Sequence, residues 1–234
     1  MARKKAKPRA SSHKTPEDSS NDDDQASSTS PEPVYFWKPN EPTAGFLSQW
    51  YHAPFRDRSD PSKIYPTAEH YMMHHKAQLF HDAARAADVL SEPDPRKVKA
   101  YGRAVQNFDE AVWERERERV VREGNWCKFS LPVRPKSGEV TEGGGTEGKQ
   151  TELRDRILAT GDSVLAEASP FDRVWGIGFK AENARQNRKK WGPNLLGKCL
   201  MEVREQLRRE DEEKERASKG GEEEHVPAFL WGAV

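Results

Sequence analysis

The segment YPTAEHYMMHHKAQLF, Tyr65–Phe80, gathers side chains able to do chemistry: a glutamate (Glu69), a lysine (Lys76) and three histidines (His70, His74, His75). Wound as a helix at ~100° per residue, it sets Glu69, Met72, Met73, Lys76 and Phe80 on one stripe, so both charges sit on the apolar face. His70, His74 and His81 fall on a neighbouring face with Ala77 and Ala84, while Tyr71, His75, Gln78 and Asp82 point the other way. Glu69 and Lys76 lie ~10 Å apart along the axis, too far to pair directly, so two inward charges imply a polar cavity or two other partners. In a cavity the carboxylate can serve as a base or face a developing cation, and the ammonium can hold an anion. A purely structural alternative stands beside this: Glu69 in the first turn complements the helix dipole, and Lys76 can extend its head to water. His70 and His74 have the i, i+4 spacing of a two-ligand metal site. His81, two turns further on, cannot reach the same ion, and no HExxH or cysteine cluster completes a set, so no metal is expected.

The elements that must position this segment are mostly helical. Helical periodicity runs from Thr67 to about Ala87, and Asp94 can cap a further element through VKAYGRAVQNF. In DEAVWERERERVVREG, Val112, Trp113, Val120 and Val121 form one stripe, with Asp109 as N-cap and Gly124 as the stop. TELRDRILATG and DSVLAEAS read as two short helices separated at Gly161, VYFWK as a short strand, and RVWGIGF as a buried strand or turn. Behind Asn194, the residues Leu195, Leu196, Cys199, Leu200, Val203 and Leu207 make an amphipathic stripe. The expected fold is α+β, a helix-dominated single domain with a small sheet.

Of 234 residues 33% are charged and 34% hydrophobic, with no net charge, so part of the chain is expected to lie outside a core. Residues 1–33 pair a basic cluster (Arg3 to Arg9) with a Ser/Asp/Pro tract and read as a disordered tail. Residues 210–234 read as a charged tail in which the last helix persists for a turn or two, followed by the short apolar VPAFLWGAV. Pro132 to Gln150 reads as a long surface loop within a domain spanning 34–209. No stretch approaches the ~20 apolar residues of a membrane helix, and charges follow Met1, so no membrane association and an intracellular setting are expected. That setting is cytoplasmic, with the basic cluster as an optional nuclear address. Cys127 and Cys199 read as buried, reduced thiols.

FWKPNEPTAGFLSQW, YPTAEHYMMHHKAQLF, GRAVQNFDEAVWERERERVV, KF, LRDRILATGDSVLAEASPFDRVWGIGF and NLLGKCLMEVREQL, in that order, resemble the NADAR or YbiA-like family over Val34 to Leu207. The resemblance implies an N-glycosidase acting on a small phosphoribosyl substrate of the riboflavin pathway or on ADP-ribose carried by guanine, including ADP-ribosylated nucleic acid. It implies no cofactor. Glu69 matches the family's catalytic glutamate and Lys76 the lysine that follows it. Phe36, Ser48 and Trp50 match the N-terminal pocket motif, Gly102 and Arg103 a G-R pair, and Trp113 the next tryptophan. Asp172, Trp175 and Gly176 match D-x-x-W-G; Asn194 and Gly197 match N-x-x-G. Gln49-Trp50 departs from a motif often ending in S-N-F, which places Gln49 where it can alter the base or sugar held. His74-His75 replaces a pair more often Ala-Gln.

Cleaving an N-glycosidic bond passes through an oxocarbenium-like state, which calls for an anion beside the anomeric carbon and an activated water. Glu69 can supply both, with Asp172 as second choice, orienting water or a ribose hydroxyl. Trp50, Trp113 and Trp175 can stack on a base, although Trp113, on the apolar stripe of its helix, fits a core role better, while Trp175, followed by a glycine, is more open to ligand. Lys76, Arg103 or the helix start behind Asn194 can hold phosphate. A catalytically silent ADP-ribose binder and a nucleic-acid-binding module, using Arg3 to Arg9 and Arg185 to Lys190, remain alternatives.

Overall fold

The computed structural model describes residues 31–133 and 148–220, within a compact unit that begins at Pro31. The expectations for Met1 to Ser30, for most of the Pro132 to Gln150 segment and for VPAFLWGAV lie outside the described residues.

The helix bearing Glu69, α1 (Ala68–Leu79), is buried on nearly every side. Thr67 caps it, its hydroxyl oxygen accepting from the His70 N–H. It packs on α2 (Ala83–Ser91), α3 (Pro95–Arg103) and α4 (Glu110–Ser130). The continuous helix expected to Ala87 is broken at His81, which adopts φ 58°. Asp82 then caps α2 by accepting from the Arg85 N–H, and its other oxygen accepts from the Gln106 N–H, so one buried carboxylate both starts a helix and anchors a loop.

The side of α1 opposite Glu69 faces a second core layer. Tyr71 is 1% exposed and stacks on His75 at 4.0 Å, and Tyr65 lies edge-on to Tyr71 at 5.0 Å. His75 Nε2 meets Asp57 Oδ2 at 3.1 Å, and the Tyr65 hydroxyl bridges Asp57 and His74 Nδ1. These partners occupy the His74-His75 pair away from Glu69. His70 is also committed: its Nδ1 is 2.8 Å from the Thr67 hydroxyl and its Nε2 2.7 Å from the Glu92 carbonyl.

Gly124 does not stop α4, which continues to Ser130. A Cβ there would lie 2.5 Å from Tyr71 Cδ1, so the glycine exists to let α1 and α4 approach. Gly124→Ala is therefore expected to destabilise by about 1–3 kcal/mol despite alanine's better helix propensity, measurable as a lower urea midpoint at unchanged slope.

Two small sheets flank the helices. β1 (Val34–Phe36) pairs in parallel with β4 (Leu165–Glu167), and β2 (Phe55–Arg56) pairs antiparallel with β3 (Ile64–Tyr65). DSVLAEAS, expected as a helix, thus supplies β4: its helix-favouring residues are overridden by pairing with a strand from the start of the domain. RVWGIGF forms turns. α5 (Gly148–Leu158) follows the undescribed segment, and a one-turn helix, α6 (Ala181–Ala184), leads into a 3-10 segment at Arg185–Lys190.

The last helix, α7 (Leu195–Gly220), buries Leu195, Leu196, Cys199, Leu200, Val203 and Leu207 against α4 and β4, the stripe expected from the sequence. It outlasts the turn or two expected beyond Arg209. Trp126 donates to Glu210, and Arg154 donates to Asp211 at 2.6 Å, so the charged extension is tied to α4 and α5. Cys127 and Cys199 are free and buried. Among the described residues no helix is long and apolar enough to cross a membrane.

Candidate active site

A cleft of about 1030 Å³ opens over the Glu69 end of α1, between the turn before α1, α3, the start of α4 and the turn after β4. Its size suits a nucleotide-scale ligand. Of the residues expected from the sequence, Ser48, Trp50, Glu69, Lys76, Gly102, Arg103, Trp113, Asp172 and Trp175 line it.

Glu69 sits in the first turn of α1, where its N–H donates to the Gln49 carbonyl at 3.0 Å, and it is 5% exposed. Burial pushes its carboxyl up to about 7; Lys99, a hydrogen bond from the Trp50 side chain and Arg103 act against this, and the Asp172 charge adds to it. The turn that supplies Trp50 is fixed from beneath. Lys128 of α4, 2% exposed, donates to the carbonyls of Phe46 (2.7 Å) and Ser48 (3.0 Å), and burial pushes its ammonium down to about 7. Asn125 donates to Gln49 Oε1, so this glutamine is held by α4 as well as lining the cleft.

Lys76 is engaged by the protein itself. Its Nζ donates to the Gly102 carbonyl at 2.8 Å and lies over the rings of Phe108 (4.2 Å) and Trp113 (5.2 Å), with burial lowering its pKa. Gly102 is where α3 meets Met73, leaving no room for a Cβ. Asp172 Oδ1 accepts from the Val174 N–H (2.9 Å) and the Trp175 N–H (2.7 Å), closing a turn that presents Trp175 to the cleft.

Four expected residues do not line this cleft: Phe36, Gly176, Asn194 and Gly197. They converge instead on Glu167, a cleft residue that reading DSVLAEAS as a helix had hidden. Phe36 is core, the strand partner of Glu167, and its carbonyl accepts from the Ala168 N–H at 2.7 Å. Asn194, at φ 54°, accepts from the Glu167 N–H through Oδ1 and donates to the Leu165 carbonyl through Nδ2. At Gly176 a Cβ would fall 2.7 Å from the Glu167 carbonyl; at Gly197 it would overlap the Leu165 carbonyl and the Asn194 amide. Gly197→Ala must displace β4, and a loss of turnover larger than its loss of thermal stability is expected when both are measured on one preparation.

Glu167 is half-buried; its Oε2 is shut from solvent and has no hydrogen-bond partner. Burial pushes its carboxyl up to about 8, the Asp172 and Glu69 charges push the same way, and only Lys99 opposes. The cleft thus holds three carboxylates. Around them stand Lys99 and the exposed Lys38, Arg96, Arg103 and Arg173, none but Arg103 singled out by the sequence because each lies in an ordinary polar stretch.

Acidic groups at the floor and cations at the rim define a site for an anionic ligand with carboxylate chemistry at its buried end. The chain belongs to the NADAR domain family, whose model matches residues 35–208. It is 36% identical over 179 residues to an N-glycosidase of Acanthamoeba polyphaga mimivirus, an alignment covering 74% of this chain and 95% of that protein. It is 30% identical to the N-glycosidase YbiA of Escherichia coli, across 62% of this chain and 72% of the relative. A riboflavin biosynthesis protein of Vibrio vulnificus is 30% identical over 75% of the chain, which spans 39% of that longer protein. The NMR structure of E. coli YbiA shares the fold, with a TM-score of 0.54 and 24% identity over 78% of this chain and 88% of that one.

Proposed function

We propose that this chain hydrolyses the N-glycosidic bond between a base and a phosphorylated ribose, with the activity residing in residues 34–209. The observation that carries the reading is a buried carboxylate, Glu69, at the floor of a cleft whose rim is cationic. Glu69 in its ionised form faces the oxocarbenium-like centre and takes a proton from the attacking water. Asp172, already ordering the turn below Trp175, holds a ribose hydroxyl or that water. Trp50 and Trp175 flank the base. Arg103, Lys99 and Arg96 hold phosphate, while Lys76, tied to Gly102, shapes the wall and adds positive potential. Phe36, Gly176, Asn194 and Gly197 act through β4 rather than by touching substrate.

A phosphoribosyl aminopyrimidine of the riboflavin type and ADP-ribose on guanine, free or in a nucleic-acid strand, both match this arrangement of charge. The test is release of free base, followed by chromatography, from a phosphoribosyl aminopyrimidine and from an ADP-ribosylated guanine oligonucleotide. One of the two is expected to yield base well above a Glu69→Gln control. Tight binding of both without release would make the chain a non-catalytic binding module.

A further inference from the structure

We propose that Glu167 is the general acid of this site: it carries the proton that the departing base receives, while Glu69 accepts the proton of the attacking water. This rests on the glycosidase reading and adds to it a residue with a separate role.

Two carboxyl groups in one cleft cannot both ionise cheaply, so the environment decides which keeps a proton. Glu69 has a donor in the Trp50 side chain and two cations nearby, Lys99 and Arg103, all of which favour its anion. Burial and Asp172 push both carboxyls up and Lys99 opposes this at both, but Glu167 lacks the help that Trp50 and Arg103 give Glu69. The Glu167 Oε2 is buried with no donor, Asp172 from the following turn and Glu69 from α1 repel a second negative charge, and Lys99 of α3 alone favours ionisation. A desolvated carboxylate oxygen without a donor is costly, whereas the protonated carboxyl avoids that cost and, on a residue that lines the cleft, carries a proton that a ligand nitrogen can accept. The strongly constrained backbone around Glu167, set by Phe36, Gly176, Asn194 and Gly197, fixes the point from which the side chain leaves β4.

In the step, the bond between the anomeric carbon and the base nitrogen breaks, its electron pair goes to the base, and the Glu167 proton moves to the base. Water adds to the anomeric carbon and its proton passes to Glu69. The two carboxyls end with their protonation exchanged, and one proton transfer through solvent restores the starting state, for a net addition of water.

The test uses the full chain and whichever substrate it cleaves. The wild-type kcat/KM is expected to be bell-shaped, falling on the acid side as Glu69 protonates and on the alkaline side as Glu167 ionises; the limbs belong to the pair, with Asp172 and Lys99 also facing it. Glu167→Gln should lower kcat ~10²–10⁴-fold and abolish the alkaline limb of the remaining activity. Independently of turnover, 13C NMR of glutamate-labelled protein should show a carboxyl, missing in Glu167→Gln, that is still protonated at neutral pH and titrates near pH 8. A Glu167→Gln protein that is folded and keeps both the wild-type kcat and the alkaline limb overturns the proposal, as does a Glu167 carboxyl ionised well below neutral pH. A wild-type protein that releases base from neither substrate, with the NMR titration as expected, overturns the glycosidase reading and the acid role with it.

Discussion

Glu69→Gln is expected to remove nearly all turnover while leaving the fold intact. Glutamine keeps the side chain's shape and can still accept from Trp50, but it can neither take a proton from water nor oppose a developing cation. Loss of base catalysis alone is worth ~10²–10⁴-fold, and loss of the facing anion adds to it. The same substitution should raise stability in alkaline solution. The folded protein holds the Glu69 carboxyl up at about 7 against an ordinary 4.5, so its contribution to wild-type stability is fully present below the ordinary value and is lost as pH rises through about 7. Relative to wild type, the variant should therefore gain about 1–3 kcal/mol at pH 8.5 and little at pH 5, read from thermal or urea unfolding at both. A variant that unfolds at both pH values would assign Glu69 to structure instead.

Lys128→Ala should produce the largest loss of stability, about 3–5 kcal/mol. It empties a buried volume and strips the Phe46 and Ser48 carbonyls of their donor. Because those carbonyls belong to the turn that delivers Gln49 and Trp50 to Glu69, turnover should fall too. Lys128→Met keeps most of the stem and separates packing from hydrogen bonding. The ammonium's pKa is pushed down to about 7 from 10.5, so the unfolded chain binds the extra proton between these values and wild-type stability gains a rising contribution with pH there. Lys128→Met should lack that rise; an identical pH–stability curve for the two proteins would mean the lysine stays charged in the fold.

The elements legible in the sequence are those whose burial is one-sided. α7 has a single apolar stripe, and every residue on it is buried. α1 is less legible, because nearly all its faces are buried and its period therefore carries little information; only the charges on the Glu69 face stand out. β4 was illegible because Leu-Ala-Glu-Ala is good helix sequence, and the partner that makes it a strand lies at the far end of the domain. Glu167 was lost with it. For the same reason Phe36, Gly176, Asn194 and Gly197 stand out by motif without revealing what they support, which is the backbone of β4 around Glu167. Lys128 is a lone lysine at the end of a charged helix, and nothing local marks it as buried.

In the proposed reaction water attacks the sugar carbon and the base leaves unchanged. Reaction of the purified protein with its best substrate in H₂¹⁸O, with both products weighed by mass spectrometry, tests this directly. The predicted result is one ¹⁸O in the ribosyl product, none in the free base, and no reaction with Glu69→Gln. Label in the base, or equal turnover by wild type and Glu69→Gln, would contradict it.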